Sequence, residues 1–521
     1  EAEGKFVGQF SVPKPDGVGV DPKSGAVYVL SLAGKAGAEL IKFGGYKEPK
    51  AVARVIVGND GNADFPPVMA VDASARPVVV WLGTDGGKLL RVEDKDTVLE
   101  SKPAGGGGMF GSLAFEGIEV DRFQAAPEIY VRCATGNYGG NGDYWRFSEA
   151  EEKWTKVNYP GSGGVGGTCI VPGPGGVIYA PAYPQHILRY MRDGKPAPWP
   201  EGNVGYPTEV IGKDGKPAKA PPGPKNGIYG PVSMVYMTHT LGVRPGDGHF
   251  FFFDPSHPGD RPHKMLREYT PDGKLVSEDP IIWKASDNCV GPKFDQAGNI
   301  YVAEQVKPVR EAYPEEFVKV FGRLDLTEKG ERSTEAKPLQ DVAGTMYGSI
   351  VKFSPKGGMF HFEGGLSGGG NPFKGEPKLD PSLKTGNYAS YFGGRLYPLK
   401  VTGAEWVKMG ISHQCLHYCN CENTRFDVDP YGRVWYPDLG RFRVCVLDTA
   451  GNDITHFGGY GNAESIGPES KDKALAEPDL AFSWLIGVGA TDKYAYMGDS
   501  LNRRMLRAKL VYAAEETAEI K

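Results

Sequence analysis

The chain has 521 residues and a formal net charge of −5, without the basic footprint that nucleic-acid binders carry. Gly 74 and Pro 42 make about a fifth of it, above ordinary usage yet short of disorder, and 11% aromatic residues argue for a real core. No apolar run reaches the ~18–20 residues needed to cross a bilayer, so neither nucleic acid nor a membrane span is expected.

From the N-terminus onward one pattern recurs. An apolar-alternating run ends near an Asp, a turn bearing Gly or Pro follows, and a second run rich in Tyr and Val comes next. It is read at 17–21 with 25–30, 68–72 with 77–82, 117–121 with 127–131, and 168–171 with 176–180. It is read again at 232–236 with 249–254 and at 290–295 with 298–303. Period-2 alternation bounded by turn residues predicts strand–turn–strand. Third strands are predicted at 39–43, 89–92, 187–190 and 349–353. Successive first strands lie ~50 to ~60 residues apart, long for a minimal blade, so the loops carry insertions.

The chain opens Glu1-Ala-Glu-Gly, without Met and without a basic flank before an apolar stretch. The expectation is a processed terminus with its signal peptide removed, hence a secreted or periplasmic protein. The run 4–10 reads as a spare strand. In a closed propeller such a strand completes the last blade and removes its exposed edge. The segment Asn59-Asp-Gly-Asn-Ala-Asp64 sets oxygen ligands about a glycine. It reads as a turn, with a weak calcium site as the alternative, since the distal Glu of an EF-hand is missing.

Three insertions break the rhythm. Residues 193–229 form a Pro-, Gly- and Lys-rich excursion with one hairpin expected. Residues 307–345 are charged, and 314–321 reads as a short helix with Pro in its first turn. Residues 356–423 form the largest insertion and end in Ser-His413-Gln-Cys415-Leu-His417-Tyr-Cys419-Asn-Cys421. Loops this long in a compact domain are usually functional or disordered.

Thiolate and imidazole are ligands for zinc and copper, so His413, Cys415, His417, Cys419 and Cys421 are candidate metal ligands. The spacing is neither that of a zinc finger nor that of a covalent haem site. The competing reading is disulfides, for which Cys133, Cys169, Cys415, Cys419, Cys421 and Cys445 are candidates, with Cys289 a further outside partner. The cysteine count of 7 is odd, so complete internal pairing is impossible. His249, His257 and His263, with Asp254 and Asp260, lie in a turn-rich stretch and read as surface loop histidines before they read as a metal site.

The two C-terminal copies of the pattern are the clearest. The first runs Phe426-Asp-Val-Asp429, Gly432-Arg-Val-Trp-Tyr436, Asp438, Arg443-Val-Cys-Val446 and closes with Phe457-Gly-Gly. The second, over 485–507, carries Asp499, Asn502 and Arg504. Each Asp closes one strand and the Arg five positions on opens the next, which reads as a hydrogen bond across a turn. Arg425 and Asp427 sit on the innermost strand, where a propeller lines its channel. They are candidate ligand-binding residues, Arg425 suiting an anion.

Over roughly 424–507 the chain resembles the NHL-repeat β-propeller family. The resemblance implies a propeller fold for a family that contains copper- or zinc-dependent lyases and many binding modules. The residues then predict an all-β fold over 1–521, a single β-propeller of seven or eight blades, eight by repeat count, with its two ends sharing the last blade. The expected function is an extracytoplasmic binding or assembly scaffold that meets another protein through its insertions. The alternative is a metal-dependent enzyme, a copper or zinc redox protein or lyase, with its site at the channel mouth. Whether the chain forms a homo-oligomer stays open.

Overall fold

The computed structural model describes residues 10–32, 38–45, 49–58, 68–72, 76–83, 89–103, 114–134, 143–160, 170–182, 186–200, 209–211, 217–219, 227–229, 241–257, 260–277, 279–286, 289–315, 348–362, 377–392, 395–411, 424–461, 480–499 and 504–511. The described backbone is almost wholly strand and turn. It falls into two compact units, Glu1–Ala114 with Lys471–Ala476, and Phe115–Ser470 with Glu477–Lys521.

The first unit holds two four-stranded antiparallel sheets. The first sheet is Pro15–Val20, Val27–Ser31, Ala38–Phe43 and Ala51–Gly58. The second is Val68–Asp72, Val79–Gly83, Leu89–Asp94 and Leu99–Pro103. Alternation gives each strand one face toward the other sheet, and Tyr28, Leu30, Leu40, Val80, Leu82 and Val92 pack there. Lys42 and Tyr28 both donate to Asp94 inside this core, the former at 2.8 Å, so the buried cation is neutralised. Of the spare strand expected over 4–10, only Phe10 is described. Its ring packs on Phe43 of the first sheet at 4.9 Å, and the expected sharing of the last blade by the two ends otherwise lies outside the described residues.

Among the described residues the second unit holds six larger sheets built on much the same plan and two short two-stranded ones. The third is Ala114–Asp121, Glu128–Ala134, Asp143–Ser148 and Lys153–Val157. The fourth is Val171–Gly173, Val177–Ala182, His186–Met191 and Gly227–Tyr229. The fifth begins with Leu241–Val243, Phe250–His257, Asp260–Tyr269 and Ile282–Ala285. The sixth is Val290–Phe294, Ile300–Glu304, Gly348–Phe353 and Ala404–Ile411. The seventh is Asp427–Val428, Val434–Asp438, Arg443–Leu447 and Asp453–Phe457. The eighth shows Leu485–Ala490, Tyr494–Asp499 and Arg504–Lys509.

These six sheets pack side by side in chain order, because each exposes apolar residues on both faces. Tyr130 and Tyr144 of the third meet Ile178 and Leu188 of the fourth. Tyr179 of the fourth stacks on Phe250 of the fifth at 4.8 Å, and Phe251 of the fifth meets Phe294 of the sixth at 4.6 Å. Ile350 and Tyr301 of the sixth join Val434 and Tyr436 of the seventh. Trp435 and Val444 of the seventh join Leu485 and Val488 of the eighth. The eighth then meets the third: Tyr496 OH donates to Glu149 Oε1 at 2.7 Å and Thr491 Oγ1 to the same oxygen at 2.8 Å. Among the described residues of the second unit, six sheets thus follow one another in a ring, from the third to the eighth and back to the third.

The insertions turn out to contain strands. Within 193–229, Glu209–Ile211 pairs with Pro217–Lys219 as the expected hairpin, and Gly227–Tyr229 becomes the fourth strand of its sheet. Within 356–423, Gly358–Phe362 pairs parallel to Ile282–Ala285. With Arg395–Thr402, Thr385–Phe392 and Lys307–Pro308 it extends the fifth sheet to eight strands. The helix expected over 314–321 lies outside the described residues beyond Glu315. The first strand expected over 232–236 also lies outside, and Leu241–Val243 takes that place in the fifth sheet.

In the sixth and seventh sheets the Asp of the repeat organises its turn. Asp295 Oδ1 accepts from Ala297 N and Asn299 N, while Oδ2 accepts from Tyr301 OH at 2.9 Å. Asp429 does the same for Tyr431 N and Arg433 N, and Trp435 Nε1 donates to its Oδ2 at 2.9 Å. The Asp thus ties a turn to an aromatic six residues on. Tyr301→Phe removes one buried donor and leaves Asn299 Nδ2 on the same oxygen. We expect a loss of about 1 kcal/mol in urea unfolding, and no loss would remove the aromatic from this device.

Candidate functional site

Three inner strands of the second unit each place a charged side chain two residues before the repeat's Asp: Glu119 before Asp121, Lys293 before Asp295, and Asp427 before Asp429. Because side chains alternate along a strand, that position turns to the same side as the Asp, one pleat inward. The structure brings all three charged residues together. Lys293 Nζ pairs with Glu119 Oε2, joining the sixth sheet to the third. Arg122, just past the third sheet's inner strand, holds Asp427 through both guanidinium nitrogens, Nη1 at 3.1 Å. Its Nη2 also donates to Ala490 O at 2.6 Å, and Ala490 N donates to Asp427 Oδ2 at 2.8 Å.

Arg425 completes the group. Its backbone bridges the eighth sheet, Arg425 N donating to Ile486 O at 2.7 Å and Val488 N to Arg425 O at 3.2 Å. Arg425 and Asp427 are each only 3% exposed, and Glu119 only 8%. The centre of the ring is therefore a packed set of charges contributed by the third, sixth and seventh sheets, with backbone from the eighth.

The electrostatics follow from burial set against pairing. Burial pushes the Glu119 carboxyl above its ordinary range, and Lys293 only partly opposes it. Burial acts the same way on Asp427, but Arg122 and Lys293 outweigh it and hold that carboxyl below its ordinary range. Burial would lower the Arg122 pKa, yet Asp427 more than offsets this and raises it. Two carboxylates in one site thus differ because one has a bidentate guanidinium partner and the other a single ammonium.

The residues singled out from sequence divide as follows. Arg425 and Asp427 lie at this centre, buried and engaged with neighbouring strands. His413, Cys415, His417, Cys419 and Cys421 lie outside the described residues, as do Cys169 and the calcium turn at 59–64. Cys133 falls in the strand Glu128–Ala134, its side chain outside the description. Cys445, one of the disulfide candidates, is a free and buried thiol, and Cys289 is buried as well. Burial pushes the Cys445 thiol up to about 11, so at neutral pH it is an unreactive thiol on the strand beside Tyr436.

The two Asp–Arg pairs have the structural role read for them. Arg443 Nε donates to Asp438 Oδ2 at 3.3 Å and Arg504 Nε to Asp499 Oδ2 at 3.3 Å. Asp499 also accepts from Ser483 N and Trp484 N, which fixes the entry to the eighth sheet. His249 joins Asp247 and Glu268, its Nδ1 lying 2.7 Å from Glu268 Oε1. Arg244 donates to both of these carboxylates, so the cluster is part of an ion-pair network.

Glu119, Arg122 and Lys293 were not singled out from sequence. The signal was present in Glu119 and Lys293, charged residues in otherwise apolar inner strands at one fixed distance from the repeat Asp. Arg122 had no such signal, because its partner lies 305 positions away.

No protein-family model matches the sequence, and no curated protein matches it either. Solved structures that align include virginiamycin B lyase from Staphylococcus aureus, at 8% identity over 86% of this chain and 97% of that one, TM-score 0.33. Regucalcin, a calcium-binding protein from Agrobacterium tumefaciens, aligns at 13% identity over 59% of this chain and 85% of that one, TM-score 0.21. A putative gluconolactonase aligns at 12% identity over 75% of this chain and 86% of that one, TM-score 0.29. At such identities and scores the likeness carries no inference about activity.

Proposed function

We propose that the chain is a β-propeller-type binding or assembly scaffold that works outside the cytoplasm, as a secreted or periplasmic protein. In this reading the ring of six sheets is the rigid body, and the long insertions are the surfaces offered to a partner protein. The observation that carries it is the pairing at the ring's centre. Glu119 with Lys293 and Arg122 with Asp427 commit the central charges to one another and so to holding the sheets. The insertions, by contrast, are where the four-strand rhythm is departed from, most of all in the fifth sheet.

The alternative is a metal-dependent enzyme, with His413, Cys415, His417, Cys419 and Cys421 as ligands to copper or zinc. It is favoured by their soft-donor chemistry. Metal analysis of the native full chain, with thiol titration before and after reduction, separates the two. Since Cys445 is a free thiol, at most six of the 7 cysteines can pair, and denatured, unreduced protein should show no fewer than one thiol. The scaffold reading expects disulfides in the 415–421 segment, which suits an oxidising compartment, and no stoichiometric metal. One equivalent of copper or zinc, lost in Cys419→Ser, would overturn it in favour of the enzyme.

A further inference from the structure

The seam between the third and fourth sheets holds a buried carboxylate oxygen that no hydrogen bond answers among the described residues. Asp121 closes the third sheet's inner strand and is wholly buried, at 0% exposure. Its Oδ1 accepts from Phe123 N at 3.0 Å. Its Oδ2 makes no hydrogen bond among the described residues, and Arg192 Nε, reaching in from the fourth sheet, stops 3.7 Å away. Arg192 is committed elsewhere. Its Nε donates to Glu128 Oε2 at 3.1 Å, and its Nη2 pairs with the same oxygen. Tyr130 OH donates to that carboxylate as well, at 3.1 Å. Arg146, the other cation on the third sheet's side, stands 3.8 Å from Glu128. Gln124 is the remaining polar side chain facing Asp121. The groups around Asp121 are thus Arg192 from the fourth sheet and Glu128, Tyr130, Arg146 and Gln124 from the third. Both cations are drawn toward Glu128.

We propose that this seam is a proton-operated clasp: proton uptake by Asp121 removes a wholly buried charge whose Oδ2 has no hydrogen bond among the described residues and whose facing cation, Arg192, is held by Glu128, so the second unit is most stable in mildly acidic surroundings. The titration has the right direction. Burial pushes the Asp121 carboxyl up to about 6, and Glu128 adds to this against the Phe123 N–H and Arg192. In the unfolded chain an Asp titrates near ~3.9. The folded state therefore binds the extra proton between the two values. The stabilisation is full below the unfolded value and is lost as pH rises through about 6. The inference stands apart from the scaffold reading, since it concerns how the ring is held and not what it binds.

The test is urea unfolding of the full chain from pH 4.5 to pH 7.5, wild type against Asp121→Asn. The variant cancels the effects of all other titrating groups. We expect the wild-type folding equilibrium constant, divided by the variant's, to fall ten- to a hundredfold across that range. The variant should be at least as stable as wild type at pH 7.5. A ratio that stays flat would overturn the clasp. Glu128→Gln provides a second arm that does not touch Asp121. It releases Arg192 to pair with Asp121, so the midpoint of the pH dependence should move down by about one unit or more. An unmoved midpoint would equally sink the proposal, even if Asp121→Asn failed to fold.

Discussion

Asp427→Ala should cost the second unit about 3–5 kcal/mol, the usual penalty for breaking a buried pair and leaving one charge behind. The carboxylate holds both terminal nitrogens of Arg122 and takes a hydrogen bond from Ala490 N. It therefore joins the third, seventh and eighth sheets at the point where the ring closes. Its loss strands a guanidinium whose remaining partner is one backbone oxygen, Ala490 O. Urea unfolding followed by Trp fluorescence measures the loss. The double variant Arg122→Met, Asp427→Leu is the informative companion. A pair replaced by apolar groups of similar volume often costs little, so it should recover most of the stability. A single-variant loss under about 1 kcal/mol would mean that the pair is not what closes the ring. The pH sign here is opposite to that of Asp121. Because the Asp427 carboxyl is held low in the folded state, its contribution is present above the unfolded Asp value and is lost as pH falls toward the folded one.

Gly357→Ala is the second large effect, and it strikes where the last insertion joins the fifth sheet. Gly357 has a φ of 69°, and a Cβ there would stand 1.9 Å from Ile281 O. That same oxygen accepts from Gly358 N at 2.9 Å, the bond that leads Gly358–Phe362 into parallel pairing with Ile282–Ala285. A left-handed backbone and a forced displacement of the strand together predict a loss of about 2–5 kcal/mol. Gly175→Ala is the control, because that residue has a φ of 70° with nothing within 4 Å of its Cβ. It should lose only about 1 kcal/mol, the conformational part alone. Thermal unfolding of both variants checks the difference. Equal losses would mean that the close approach to Ile281 is not felt. Emission of the buried Trp283, next to the junction, reports whether the parallel pairing itself gives way.

Much of the local architecture was legible because strands and turns write themselves in short-range pattern. The runs at 25–30, 77–82, 298–303 and 432–436 are second strands, and the runs at 39–43, 89–92, 187–190 and 349–353 are third strands. The Asp that precedes each turn was legible as a repeat element, though its task of bonding Tyr301 or Trp435 six residues on was not stated. Asp427 opens the first strand of the seventh sheet, and Arg425 lies two residues before it, bridged to Gly487. Their burial was not foreseen, because it depends on Arg122, on Ala490 and on the strand containing Ile486, all remote in sequence. The strands inside 356–423 were hidden for a different reason. Gly358–Phe362 and Arg395–Thr402 pair with each other and with the fifth sheet, and glycine-rich segments around them masked the period-2 signal.

Period-2 alternation, turn residues at fixed offsets and a recurrent Asp were enough, without any coordinates, to read an all-β chain of repeated strand–turn–strand units. Those signals are local, since a strand's two faces and a turn's backbone are set by neighbours a few residues apart. How many units share a ring was decided only in three dimensions. The eighth sheet meets the third through Glu149, Thr491, Arg122 and Ala490, and contacts spanning hundreds of residues leave no periodic trace. The same holds for the charges at the centre: a lone Glu, Lys or Asp in an inner strand announces a buried charge, but its partner is chosen by which strands the packing brings face to face.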